Sequence, residues 1–238
     1  VSDPTPEALA ALAEDIGQQR AQLAAAATPP PPRAGAAAVG LIVAEEVTSS
    51  AHYEATLSHP TWPGEDSGIT IGIGYDLGYQ DRAGFASDWD ERLPAEAMRR
   101  LSAVCGLRGK RAETALPALH DITVPWIAAR AVFLGTSLPR YEAQTLAAFP
   151  GCGDLPAEAF GALVSLIYNR GPGMGSPTDP PPDRRREMRD IRAAIVAGQP
   201  ERVPALLLSM RRLWPDTAGL RTRREREAAL FAGAINRS

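Results

Sequence analysis

The stretch Gly68-Ile69-Thr70-Ile71-Gly72-Ile73-Gly74-Tyr75-Asp76 constrains this chain more than any other. Branched apolar residues alternate with glycine, the pattern of a short strand whose glycine edge lets another backbone or a ligand come close. A helical pattern over residues 36–48 precedes it, with Leu41, Ile42 and Val47 apolar and Glu45 and Glu46 at its C-terminal end. Between the two, Pro60, Pro63, Gly64 and Gly68 punctuate the chain into turns. The expectation is a helix that delivers a carboxylate to the rim of a small, substrate-lining β-element.

From about residue 93 onward the chain reads as helices joined by short connections, over 94–104, 108–116, 124–134, 140–148, 157–168, 186–196, 201–213 and 220–234. Acidic or proline residues open several of these segments, and glycine or proline follows several of their ends. The exception is 171–183, rich in glycine and proline, which reads as a surface loop. At the other end, Leu9, Leu12, Ile16 and Leu23 recur at helical spacing over 5–27, and Pro29-Pro30-Pro31-Pro32 stops that helix with a semi-rigid extended spacer. The expected organisation is an N-terminal helix with a proline-rich linker, 1–35, appended to a main domain, 36–238. The expected class is α+β, mostly α.

A chain of 238 residues can bury a sizeable core but is too short for a large multidomain machine. Hydrophobic content of 45% and charged content of 22% are those of a soluble globular protein. No apolar run nears the ~20 residues of a membrane span, so membrane insertion is not expected. The opening Val1-Ser2-Asp3-Pro4 lacks the basic and apolar regions of a secretory signal peptide, so any export is expected by another route or through an upstream segment.

The formal net charge is −3, yet arginines crowd the last third: 184, 185, 186, 189, 192, 211, 212, 221, 223, 224 and 226. Such a face attracts anionic polymers. The spacing of Asp183, Glu187, Asp190, Glu225 and Glu227 points instead to solvated helix faces with paired charges. No aromatic residues interleave with the arginines as a stacking platform requires, so nucleic acid is not an expected partner. Cys105 and Cys152 are too few for a disulfide scaffold and lack CxxC spacing; they are either two thiols or a single bridge. His52, His59 and His120 have no metal-ligand spacing, and neither metal nor other cofactor is expected.

Three ordered motifs carry a resemblance. The first is Glu46, then Tyr53, then Thr70-Ile71-Gly72-Ile73-Gly74. The second is Ile122-Thr123 opening a helix, followed by Ala162-Leu163-Val164-Ser165-Leu166-Ile167-Tyr168-Asn169-Arg170-Gly171. The third is Gly219-Leu220-Arg221-Thr222-Arg223-Arg224-Glu225-Arg226-Glu227-Ala228-Ala229-Leu230-Phe231. In this order the chain resembles phage-type lysozymes, the endolysin-like muramidases of the lysozyme superfamily, over roughly residues 36–234. The resemblance implies a two-lobed lysozyme-like fold, with a small β-element and a helical lobe, that acts on peptidoglycan glycan strands.

Cleavage of a β-1,4 glycosidic bond needs a protonated carboxyl for the leaving oxygen and a group that stabilises or attacks the oxocarbenium-like centre. The resemblance implies Glu46 as the acid, at a helix end where burial against the strand favours the neutral form; Glu45 takes that role if the register shifts by one. Thr70 keeps the threonine of the family pattern. The aspartate that the family places two positions after the tyrosine is replaced by Ala55. The longer connection that follows holds Glu65 and Asp66, expected to supply the second carboxylate from another backbone position, with Glu54 a weaker choice. Tyr53, Trp62, Tyr75, Asp76 and Asn169 are the candidate substrate contacts, Tyr75 alternatively as core, Asp76 as a turn hydrogen bond and Asn169 as a helix cap. Arg223, Arg224 and Glu227 read as an intramolecular ion-pair network.

The leading expectation is a muramidase that cuts between N-acetylmuramic acid and N-acetylglucosamine at the bacterial wall, as a phage lysin, a tail-associated lysin or a secreted antibacterial effector. Such a protein would act in the periplasm or outside the cell, after delivery by an upstream domain or other machinery, with an immunity protein as a possible partner. Two readings stay open beside it. One is a wall-binding module that has lost the chemistry, as Ala55 suggests. The other is a lyase that uses one carboxyl as acid and base and leaves an anhydro-sugar end.

Overall fold

A computed structural model describes residues 5–25, 33–178 and 182–237. In chain order, α1 (Pro6–Ala25) and α2 (Ala36–Val47) are followed by α3 (Ser50–His52), which runs on as a π-helical segment, Tyr53–Leu57. Two short strands come next, β1 (Thr70–Ile71) and β2 (Tyr75–Asp76), and then α4 (Arg82–Trp89), α5 (Ala95–Ser102), α6 (Lys110–Ala115) and α7 (Trp126–Val132). The remaining helices are α8 (Leu138–Ala148), α9 (Ala157–Arg170), α10 (Arg186–Val196), α11 (Val203–Ser209) and α12 (Ala218–Ile235). The chain is therefore α+β and mostly α. It divides into two compact units, one of Val1–Glu45 with Pro139–Ser238, the other of Glu46–Leu138.

The first unit is built around α9, whose residues Ala159 to Ile167 are all buried. A helix apolar on every side belongs at the centre of a bundle, and α12 packs against it. Gly161 lets α2 approach α9, since a Cβ there would overlap that of Ala38. The N-terminus of α2 is held by carboxylates from elsewhere in the unit. Glu158 accepts from the backbone N–H of Ala38 at 2.8 Å and of Ala37 at 3.2 Å, and Glu142 accepts from that of Ala34 at 2.8 Å. These acceptors satisfy donors that a helix start leaves open and place negative charge at its positive end. Val39, Ile42, Val43 and Ala44 then bury the body of α2, which fixes the line along which Glu45 and Glu46 emerge.

Helix α1, expected as an appendage, is counted in this unit: Leu12 and Ile16 are buried, and Ala13 lies against Gly40 of α2. The expected spacer Pro29–Pro32 lies outside the described residues, as do residues 179–181 of the loop 171–183. In α12, Glu227 is fully buried, 2.6 Å from Arg224 and 3.5 Å from Arg223, and accepts from the Ser165 hydroxyl at 2.6 Å. This is the ion-pair network expected of those residues.

The second unit corrects the opening expectation. Residues 68–76 form a hairpin, not one strand: β1 pairs antiparallel with β2 in the register Thr70 with Asp76 and Ile71 with Tyr75. Gly72 and Gly74 have φ of 59° and 64°, a left-handed backbone that glycine adopts without strain, so the glycines reverse the chain. Their alternation with isoleucine mimics a strand because Ile69, Ile71 and Ile73 all turn into the core. Thr61 adds an isolated antiparallel bridge to the outer side of β1. Tyr75 meets the edge of Trp89 with ring centroids 5.5 Å apart and donates to Asp88 at 2.7 Å, which docks α4 on the hairpin.

Candidate active site

Glu46 and Thr70 line one recess of about 150 Å³ in the second unit, together with Val47, Leu57, Thr61, Gly72 and Gly74. Each element contributes for a local reason. Helix α2 ends at Val47, and the next residue, Thr48, takes a left-handed backbone at φ 64°. Ser49 then caps α3, its side chain accepting from the His52 N–H at 3.1 Å. The chain thus turns away directly after Glu46 and Val47 and leaves the glutamate half-buried at the helix end. On the facing side, Thr61 and Thr70 exchange two backbone hydrogen bonds, Thr61 N–H to Thr70 carbonyl at 3.0 Å and the reverse at 2.7 Å. That pairing sets both threonines side by side.

Glu46 is the only ionisable group among the described residues lining the recess. The other residues lining it supply two apolar side chains, two hydroxyls and glycine backbone, so the carboxyl shares the recess with groups able to hydrogen-bond. Glu45 has a different task, since it pairs with Arg226 of α12 at 2.9 Å. Of the two adjacent glutamates, Glu46 is the one that lines the recess. The volume is below the ~300 Å³ at which ligand pockets usually begin, so a drug-sized molecule would not be enclosed by it.

Several expected site residues lie elsewhere. Asp66 does not line the recess. Its carboxylate pairs with Arg108, whose Nε also donates to the Asp66 carbonyl at 3.0 Å, and its side chain remains 79% exposed. Glu65, also exposed, occupies the same turn with φ 50° and does not line the recess. The Trp62 indole N–H donates to the Ser67 carbonyl at 3.1 Å and so closes the 62–67 loop on itself. The second carboxylate expected from this loop is therefore absent from the recess, because the loop's own turn and Arg108 hold both acids outside it. Glu54 and Ala55 are exposed on the π-helical segment.

The two candidate tyrosines, Tyr53 and Tyr75, are core residues. Tyr53 is fully buried, its hydroxyl donates to the Val124 carbonyl at 2.9 Å, and its ring lies 5.4 Å from that of Trp126. Burial raises its phenol far above the ordinary range. Tyr75, 4% exposed, holds Asp88 as described. Asp76 accepts from the backbone N–H of Gly78 at 2.7 Å and of Gly68 at 3.2 Å, tying the two ends of the hairpin together. Of its two readings, the turn hydrogen bond is the one present. Asn169 lies in the first unit and lines a separate pocket with Arg170 and Trp214.

Thr61 is the recess residue that sequence reasoning missed. A signal was present: Trp62 precedes Pro63 and is driven toward extended backbone, and Pro60, a residue suited to a strand edge, comes directly before Thr61. An extended pair next to a strand-forming segment is a candidate bridge partner. Among the described residues no cluster of three or more His, Cys, Asp or Glu side chains is arranged for a metal ion, and no helix is long and apolar enough to cross a membrane. No protein-family model matches the chain, and a search of curated proteins returns no match.

Proposed function

We propose that this chain cleaves the β-1,4 bond between N-acetylmuramic acid and N-acetylglucosamine in peptidoglycan, with Glu46 as the acid. The observation that supports this reading is that Glu46 and Thr70, brought from a helix end and a hairpin, line one recess. Glu46 protonates the glycosidic oxygen as the C1–O bond breaks, leaving an oxocarbenium-like sugar. In hydrolysis a water oriented by the hydroxyls of Thr61 and Thr70 adds to C1 and gives up its second proton to solvent. The lysozyme-like fold, and action at the bacterial wall with delivery machinery or an immunity protein as partners, belong to the same proposal.

A second reading is favoured by one feature, that Glu46 is the recess's sole carboxylate among the described residues. A lyase needs no second acid. The same Glu46, having given its proton to the leaving oxygen, takes one from the muramic C6 hydroxyl, whose oxygen closes on C1 to give a 1,6-anhydro end without consuming water. Digestion of purified sacculi with mass spectrometry of the fragments separates the two. Reducing muramic ends support hydrolysis, anhydro ends support the lyase, and intact sacculi at every pH defeat both.

A further inference from the structure

Most arginines of the last third are accounted for by pairing. Arg189 holds Asp183, Arg212 and Arg186 hold Glu187, Arg211 holds Glu225, and Arg223 and Arg224 share Glu227. Three of the remaining cationic side chains converge. Arg170, Arg184 and Arg185 line one pocket of about 400 Å³ in the first unit, with Asn169, Trp214 and Leu220. None of the three forms an ion pair with a carboxylate among the described residues. Arg170 Nη2 donates to the Arg184 carbonyl, and Arg185 Nη1 to the Gly171 carbonyl at 3.4 Å, so the guanidinium groups of Arg170 and Arg185 are positioned by backbone without being neutralised.

The pocket's back wall is aromatic. The Arg170 guanidinium carbon lies 4.9 Å from the Trp214 ring centroid, and that of Arg224 lies 5.8 Å from the same ring. Arg170 Nε is buried without a hydrogen-bond partner among the described residues, as are Nε and Nη1 of Arg224. Burial and the crowding charges of Arg185, Arg224 and Arg184 pull Arg170 down to about 10. Glu187 favours the Arg170 charge from a distance without pairing with it, and cations that converge in this way are an arrangement that an anion would stabilise. Guanidinium forks match the oxygens of phosphate in particular, through paired N–H donors. The volume exceeds what a bare oxyanion fills, roughly two or three waters at about 30 Å³ each. Trp214 and Leu220 therefore leave room for an attached organic group.

We infer that the pocket of Arg170, Arg184, Arg185 and Trp214 binds a phosphate group. The inference stands on these residues alone and does not depend on glycan cleavage at Glu46. Two sources share the chemistry, free phosphate and a phosphate ester, the latter as a small molecule or along a polyol-phosphate polymer. The test is calorimetric titration of the full chain at low ionic strength with inorganic phosphate, glycerol 3-phosphate and poly(glycerol phosphate), with acetate as a reference anion. Arg184→Gln with Arg185→Gln removes two charges from the pocket at side chains that reach solvent, so the variant folds. Arg82→Gln with Arg92→Gln removes the same charge from exposed positions in the other unit.

The expected result is phosphate binding that weakens about tenfold or more in the first double variant and changes less than about twofold in the second. Inorganic phosphate binding as tightly as the esters identifies the free anion as the source. Tighter ester binding identifies the esterified group, and a further gain for the polymer identifies the chain. Absence of phosphate binding, acetate binding as well as phosphate, or equal loss in both double variants overturns the inference.

Discussion

At the scale of single residues, the site depends on where the chain turns after Glu46. Thr48 is β-branched and sits at φ 64°, a conformation that costs an L-residue of this shape roughly 1–2 kcal/mol. Strain kept next to a candidate acid is consistent with a functional constraint. Thr48→Gly should raise unfolding stability by about 1 kcal/mol, measured by urea denaturation, since glycine adopts this backbone freely. A loss of stability would mean that the Thr48 side chain makes a contact worth more than the strain. The thiols give a second prediction. Cys105 and Cys152 are both free, and burial pushes each up to about 11. Thiolate is the reactive form, so neither should react quickly with a thiol reagent at pH 8 in the folded protein, while both should react at once in denaturant.

At the scale of elements, helices α10 and α12 show how the arginine-rich third stays folded. Glu227 lies between Arg223 and Arg224 with no exposed surface, so Glu227→Gln leaves buried positive charge uncompensated and should cost about 3–5 kcal/mol in urea unfolding. Glu187 is also buried. Desolvation opposes its ionisation, but hydrogen bonds from Arg212, from the backbone and from Arg186 outweigh this and hold it below the usual carboxylate range. A lowered folded value means that the stabilisation is present above the unfolded value, near pH 4.3, and is lost as pH falls through the folded one. The stability gap between the parent and Glu187→Gln, about 2–3 kcal/mol at pH 7 because Arg212 and Arg186 reach solvent, should hold down to about pH 4.3 and close below it. A gap that widens on acidification would show the opposite linkage.

The helices of the last half were legible because their apolar spacing and their glycine and proline boundaries agree. Segments read at 186–196 and 157–168 match α10 and, within two residues, α9. Helix α4 was not legible. Gly84 in its first turn weakens its helical signal, and what holds it is tertiary, the contact of Trp89 with the hairpin. The hairpin was misread for a related reason, since glycines at positive φ and glycines at a strand edge look alike in sequence. Glu46 and Thr70 were legible through the ordered motifs. The failure of Asp66 to reach the recess was not, because it depends on Arg108, 42 positions away along the chain.

At the scale of the whole molecule, the chain separates its charged tasks between two compact units. The unit Glu46–Leu138 carries a recess lined by one carboxylate among the described residues, and the unit of Val1–Glu45 with Pro139–Ser238 carries the buried Glu227 and Glu187 ion pairs and the arginine pocket. The adjacent glutamates stand at the division. Glu45 belongs to the first unit through Arg226, whereas Glu46 belongs to the second through the recess. Swapping either for glutamine makes the same chemical change at adjacent positions, so the pair is its own control for the proposed chemistry. Release of soluble fragments from purified peptidoglycan should therefore be compared for the parent, Glu46→Gln and Glu45→Gln, each confirmed to be folded. The account predicts that Glu46→Gln abolishes release, by about a hundredfold or more as for the loss of a general acid, while Glu45→Gln retains it. Equal release by the parent and Glu46→Gln, or loss in Glu45→Gln alone, would contradict it.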